Sequence, residues 1–123
     1  MEGMEQICFE MISSAGAARS SFIEAIENAK SGHLEEARKA VEEGEKAQIE
    51  CHKVHQNLIT QEASGKPAEV SLLLVHAEDQ LMAAELFQIL AQEWIDSIPV
   101  WRQKENDCHY HTHPACPSGG HPG

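Results

Sequence analysis

A histidine and an aspartate lie three residues apart in the most apolar segment of the sequence. His76 and Asp79 stand among leucine, valine and methionine residues over positions 72–82, and their spacing places both on one side of a helix. An ionised carboxylate in apolar surroundings is costly unless it is paired, protonated or bound to a cation. No lysine or arginine occurs between Lys66 and Arg102 to pair with it.

Two interpretations of this pair are open. If subunits meet along this segment around a symmetry axis, copies of Asp79 come together and bind a divalent cation through carboxylate oxygens. His76 then lies at the edge of a groove between subunits as a neutral imidazole, which is a competent nucleophile near physiological pH. In the plainer alternative, His76 is a partly exposed histidine and Asp79 is a surface carboxylate on a loosely packed helix.

Two helices are predicted before this segment. Apolar residues recur at steps of three and four from Met4 to Ala29 and from Leu34 to Leu58, which is typical of helices with one apolar face. Gly32 ends the first helix, and residues 64–67 end the second, because glycine and proline interrupt helix propagation. The expected core residues are Met4, Cys8, Met11, Ala15, Ala18, Phe22, Ala25 and Ala29 in the first helix, and Leu34, Ala37, Val41, Gly44, Ala47, Cys51, Val54 and Leu58 in the second.

The third segment, Val70 to Ile98, is apolar on two sides. One side, comprising Val70, Leu73 or Leu74, Ala77, Leu81, Ala84, Ala91 and Ile98, can pack on the other two helices. A second stripe at the same spacing comprises Leu72, His76, Asp79, Ala83, Leu86 and Leu90. A helix that is apolar on two sides must be buried on two sides, so we expect self-association with the third helix at the subunit interface.

The composition narrows both the fold and the partners. The 123 residues suffice for one domain, and only 5% of them are aromatic, which favours an all-α chain over a β-sandwich or barrel. Nine basic and twenty acidic residues give a net charge of -11, so we expect no nucleic-acid partner. We find no signal-peptide pattern, no apolar stretch long enough for membrane insertion and no disulfide framework. These features predict a cytoplasmic protein with reduced cysteines.

The C-terminal segment differs in composition from the rest of the chain. Residues 106–123 show no apolar periodicity, so we predict a disordered tail that follows a three-helix domain at residues 1–105. The cysteines and histidines of the tail lack zinc-finger spacing, and we expect only adventitious metal binding there. These residues are Cys108, His109, His111, His113, Cys116 and His121.

Three residues outside the third segment are also of a type that could form a site. His52 and His55 could form a two-ligand metal face, but no Glu-x-x-His pair accompanies them. We therefore expect them to be surface or partner-facing histidines. Arg19 is the only basic residue before Lys30, and on general grounds it is expected to form a surface ion pair on the first helix.

Four stretches of the sequence resemble one known family. Residues 70–82, VSLLLVHAEDQLM, are similar to the signature around the phosphorylated histidine in enzyme IIA of the lactose and cellobiose (chitobiose) class of the bacterial sugar phosphotransferase system. The resemblance continues in residues 12–20, 50–55 and 58–65, and it covers about residues 4 to 100 in family order. It favours a phosphoacceptor histidine over the plainer interpretation of His76.

The resemblance implies a particular architecture and activity. The subunit would be an antiparallel up-and-down bundle of three helices, and the assembly a homotrimer of nine helices. Asp79 would hold a metal ion, usually taken as magnesium, on the threefold axis. His76 would accept a phosphoryl group from the phosphocarrier protein HPr and pass it to a sugar-specific enzyme IIB.

The chain departs from the family pattern at two positions near His76. Glu78 stands where the family commonly has glutamine, and Gln80 where it often has histidine. We expect Glu78 to repel a dianionic phosphohistidine and to reduce transfer efficiency. The Cys/His-rich tail also has no counterpart in that pattern.

Two other functions remain as alternatives. A histidine phosphotransfer domain of two-component signalling is also a helical bundle with a reactive histidine, but its phosphoryl donor is an aspartyl phosphate. A noncatalytic helical oligomer that binds metal through its tail is the other. Phosphoryl transfer from HPr distinguishes the three.

Overall fold

Three helices make up the described part of the chain. The structure, a computed structural model, describes residues 3–110, without the side chains of residue 100 and residues 102–110. The helices are α1 (Gly3–Lys30), α2 (Leu34–Ala63) and α3 (Leu72–Tyr110). Short connections join them into an antiparallel up-and-down bundle, so α1 and α3 run in the same direction. The predicted all-α subunit is confirmed.

Helices α1 and α2 both end, as predicted, in a hydrogen-bonded turn of the same type. Gly32 and Gly65 have positive φ angles of 82° and 84°, a conformation that costs glycine little. After α1, the N–H of His33 donates to the carbonyl of Asn28 at 2.8 Å, and after α2 the N–H of Lys66 donates to the carbonyl of Gln61 at 3.1 Å. These turns satisfy carbonyls that the helix ends would otherwise leave unpaired.

The core follows the predicted apolar faces. Every expected position of α1 is buried except Met4, which is partly buried. On α2 four of the eight expected residues are buried, and Leu34, Ala47, Val54 and Leu58 are partly buried. The pattern missed Ala40 and Gln48, which are buried. On α3, Val70 precedes the helix and is 77% exposed, while the core side of the helix is occupied by Leu74, Ala77, Leu81, Ala84, Ala91 and Ile95.

A close approach between α1 and α2 depends on one glycine. A Cβ atom added to Gly44 would overlap the ring of Phe22, whose side chain is fully buried. The Phe22 ring therefore occupies the space that any side chain at position 44 would need. Small residues at such positions allow two helices to pack at short range.

Helix α3 continues past the end of its apolar pattern. Pro99 lies inside the helix, which ends at Tyr110, so residues 106–110 of the predicted tail are helical. Trp94 and Trp101 pack edge to face across the proline, with ring centroids 5.6 Å apart, and residues 103–105 are strong helix formers. The rest of the tail, residues 111–123, lies outside the described residues. No helix in residues 3–110 is long and apolar enough to cross a membrane.

Candidate functional site

His76 is an exposed side chain in the second turn of α3. Ser71 precedes the helix and caps it, because its Oγ accepts a hydrogen bond from the N–H of Leu74 at 3.1 Å and its carbonyl accepts one from Val75 at 3.0 Å. Among the described residues, the imidazole of His76 has no hydrogen-bond partner. The ring is thus held on a well-defined helix with its nitrogens open to solvent.

Asp79 lies within an exposed apolar stripe on α3. Leu72 is 86% exposed, and Val75, Met82, Leu86 and Leu90 are each at least 42% exposed. Asp79 is itself exposed and forms no ion pair within the described part of the chain. A carboxylate with free oxygens suits a hard cation such as magnesium. Among the side chains that the structure describes, one subunit offers no group of three or more metal-ligating residues.

The side of α3 that faces α2 carries two histidine–carboxylate contacts. Nδ1 of His55 lies 2.6 Å from Oε2 of Glu78, and Nε2 of His52 lies 3.5 Å from Oε1 of Glu85. His52 and His55, expected to be surface or partner-facing histidines, are partly exposed and also contact carboxylates of α3. Their side chains are half-buried and link α2 to α3.

Glu78 and His76 point to different sides of α3. Residues two apart on a helix do not face each other, and the contact with His55 holds the Glu78 carboxylate toward α2. The sequence suggested that Glu78 lies beside His76. Within a subunit it does not. An open groove of about 430 Å³ between α2 and α3 is lined by His55, Glu78, Asp79 and apolar side chains.

The side of α3 that faces α1 carries a different contact. Nη1 of Arg19 donates a hydrogen bond to Oε1 of Gln80 at 2.5 Å, and the contact is partly buried. Gln80 is one turn beyond His76 on α3. Arg19 thus reaches across to the histidine-bearing helix instead of forming the expected surface ion pair. Periodicity gave no signal for this contact, because it does not fix which side chains of two helices meet.

The two buried cysteines are poor candidates for a nucleophile. Cys8 and Cys51 are both free thiols with no solvent exposure. Burial is the main cause that raises the pKa of the Cys51 thiol to about 11, and the nearby carboxylates of Glu78 and Glu85 contribute to this rise. The pKa of Cys8 is raised for the same reason, with Glu78 and Glu5 contributing. Because the thiolate is the reactive form, both residues are structural.

The chain is similar to several characterised phosphotransferase components. A family model described as "PTS system, Lactose/Cellobiose specific IIA subunit" matches residues 6–98. The lichenan-specific phosphotransferase enzyme IIA component of Bacillus subtilis (strain 168) is 44% identical over 95 residues, covering 77% of this chain and 86% of that protein. The PTS system lactose-specific EIIA component of Staphylococcus epidermidis is 35% identical over 88 residues, covering 72% and 85%.

A solved structure shares the fold. The crystal structure of the PTS cellobiose-specific enzyme IIA from Bacillus anthracis matches with a TM-score of 0.79 at 40% identity, over 85% of this chain and 95% of that one. These likenesses define the class of the protein as a phosphotransferase component, which carries a phosphoryl group on a histidine. Within that class, the chain belongs to the lactose/cellobiose-specific IIA family of the PTS system. The family resemblance expected from the sequence is confirmed.

Proposed function

We propose that His76 is the phosphoacceptor of a cytoplasmic sugar phosphocarrier. In this proposal HPr is the donor and a sugar-specific enzyme IIB is the acceptor. The observation that carries it is the exposed imidazole of His76 on the capped start of α3, which has no hydrogen-bond partner in the part of the chain that the structure describes. The two histidines of α2, His52 and His55, contact carboxylates of α3. Both buried thiols have raised pKa values and are held protonated.

The reaction requires little machinery from the subunit itself. A ring nitrogen of His76 attacks the phosphorus of the donor phosphohistidine, the new N–P bond forms as the donor N–P bond breaks, and the electron pair returns to the donor ring. The proton lost from the His76 ring passes to solvent or to the departing imidazole. Such a transfer depends mainly on in-line positioning and charge stabilisation, and partner proteins can bring part of both.

The relatives guide the choice of sugar and partners. Their names specify lichenan, lactose and cellobiose, so we expect a disaccharide of the lactose, cellobiose or chitobiose type. The net charge of -11 favours docking to a basic surface on HPr or IIB, because complementary charge raises the rate of association.

A homotrimer of nine helices is the proposed assembly. The exposed stripe of α3 supports it, because Leu72, Leu86 and Leu90 would be covered by neighbouring subunits. Asp79 lies inside the stripe, and three copies on the axis could hold a magnesium ion. The ion would neutralise the clustered carboxylates, and in this proposal it takes no part in phosphoryl transfer.

One experiment tests the phosphocarrier role directly. The protein is incubated with phosphoenolpyruvate, enzyme I and HPr. The modified residue is then located by mass spectrometry of digests that are kept out of acid. We expect one added phosphoryl group, on His76, which is lost on addition of the cognate IIB. Phosphorylation only from an aspartyl-phosphate donor would instead indicate a two-component phosphotransfer domain, and no phosphorylation would indicate a noncatalytic oligomer.

A further inference from the structure

Gln80 has an amide whose orientation is determined by Arg19. A guanidinium has only N–H donors, so the Gln80 atom 2.5 Å from Nη1 of Arg19 must be the carbonyl oxygen, Oε1. The amide nitrogen, Nε2, therefore points away from the guanidinium. No acceptor among the described residues takes a hydrogen bond from it.

Gln80, which carries this amide nitrogen, lies on the same side of α3 as His76. Residues four apart on a helix are neighbours, with Cβ atoms roughly 5–6 Å apart. A phosphoryl group on His76 would extend from the ring toward such a neighbour. Hydrogen bonds from N–H donors to an anionic phosphoryl oxygen are stronger than bonds between neutral groups.

We propose that Arg19 is a positioning residue for phosphoryl transfer, acting through Gln80. Arg19 holds Oε1, so that Nε2 of Gln80 donates to an oxygen of the phosphoryl group as it arrives on His76. Gln80 exchanges no proton or bond with the substrate. This inference rests on the proposed phosphoacceptor role of His76. It also gives a function to Gln80, which differs from the histidine often found there in the family.

The charges around His76 favour this indirect route. Asp79 is one turn away from His76 on α3, and Glu78 is turned toward α2. Among the lysines and arginines of the described residues, Arg19 is the one that forms a hydrogen bond to this part of α3. A guanidinium that is bonded to Oε1 orients the amide, so the effect of Arg19 on the anion passes through Gln80.

A double-mutant cycle tests the route. Gln80→Met removes the donor with little change of shape, and Arg19→Met keeps most of the aliphatic stem. We expect each single variant to accept phosphoryl from phospho-HPr on the order of ten to a hundred times more slowly. The double variant should be no slower than Gln80→Met alone, because Arg19 acts through Gln80.

Matched controls exist away from the contact between Arg19 and Gln80. Gln88 of α3 donates to Glu45 of α2 at 3.0 Å, and Arg38 is exposed on α2. Gln88→Met and Arg38→Met should both leave the rate of acceptance unchanged. Circular dichroism and thermal melting of every variant separate loss of positioning from loss of folding.

A measurement on the unmutated protein complements the cycle. The side-chain amide ¹⁵N and ¹H signals of Gln80 should shift when His76 is phosphorylated, while those of Gln88 stay in place. If His76 is labelled but the Gln80 signals do not move, the positioning role is wrong. Additive losses in the double variant would mean that Arg19 contacts the phosphoryl group directly, which also overturns the proposal. Absence of label on His76 in the unmutated protein would instead overturn the phosphocarrier function.

Discussion

The carboxylate of Glu78 lies 2.6 Å from the Nδ1 atom of His55. This contact joins α2 to α3 on a different side of α3 from His76. Since an ionised carboxylate only accepts hydrogen bonds, the Nδ1 atom of His55 is the donor. The side chains of both residues are at most about a third exposed. From the sequence, the Glu78 carboxylate was expected to repel the phosphohistidine. In the structure it contacts His55 on another side of the helix.

Replacing Glu78 should therefore have little effect on phosphoryl acceptance. Glu78→Gln keeps an oxygen that accepts from His55, and we expect the rate of acceptance from phospho-HPr to change by less than about twofold. Glu85→Gln, which affects the neighbouring contact with His52, is the matched control. A several-fold acceleration in Glu78→Gln alone would mean that Glu78 faces the His76 of an adjacent subunit.

Removal of the His76 imidazole should abolish phosphoryl acceptance. His76→Gln removes an exposed ring that contributes nothing to the core, so helicity and oligomeric state should remain as in the parent protein. His33→Gln, at an exposed position between α1 and α2, controls for the loss of a histidine and should be phosphorylated normally. Label on His52 or His55 in the His76→Gln variant would contradict the assignment. The measurement is transfer from labelled phospho-HPr.

Two glycine-to-alanine substitutions should have opposite effects on stability. Gly44→Ala places a methyl group against Phe22, and such overpacking typically costs about 1–3 kcal/mol of the free energy of unfolding. Gly16→Ala meets no atom within 4 Å and should gain roughly 0.5–1 kcal/mol, because alanine is the better helix former. Urea denaturation at one fixed protein concentration measures both. An unchanged Gly44→Ala variant would mean that α1 and α2 separate easily.

Alkaline pH should destabilise the fold through Cys51. Its pKa is about 11 in the folded protein against an ordinary value of 9.0, so the folded state keeps the proton that the unfolded state loses. The contribution is complete below pH 9 and decreases as the pH rises from 9 to 11. Cys51→Ala should flatten this part of the profile of urea midpoint against pH. Parallel profiles for the two proteins would show that the Cys51 thiol titrates normally when folded.

Chelation should weaken the proposed trimer through Asp79. Carboxylates about 4 Å apart repel by on the order of 4 kcal/mol per pair at an effective dielectric constant near 20, so loss of a shared cation would favour dissociation. Asp79→Leu removes the charge and extends the apolar stripe, and we expect a trimer that is insensitive to chelator. Sedimentation with and without EDTA measures both effects. A parent protein that remains trimeric in EDTA and carries no metal by elemental analysis would restore Asp79 as an ordinary surface carboxylate.

The sequence predicted the helices and the apolar faces well, and the contacts between helices poorly. Periodicity and the signals at Gly32 and Gly65 define where α1 and α2 lie and which residues they bury. The pairings of Arg19 with Gln80 and of His55 with Glu78 also depend on the rotation and register of each helix against its neighbours. Those quantities are set by three-dimensional packing. The helical path through Pro99 was missed because proline alone usually signals a helix end.

Nine of the seventeen buried apolar side chains in the described part of the chain are alanines. An alanine scan, the usual way to map a core, gives no information at those nine positions because they are already alanine. Most of the substitutions available there enlarge the side chain and push two helices apart. Random mutagenesis should therefore find the bundle's interior intolerant of bulk, with accepted changes concentrated on the outer faces. Sequence changes in such a protein therefore accumulate on the surfaces that contact its partners, while the distances between its helices stay constant.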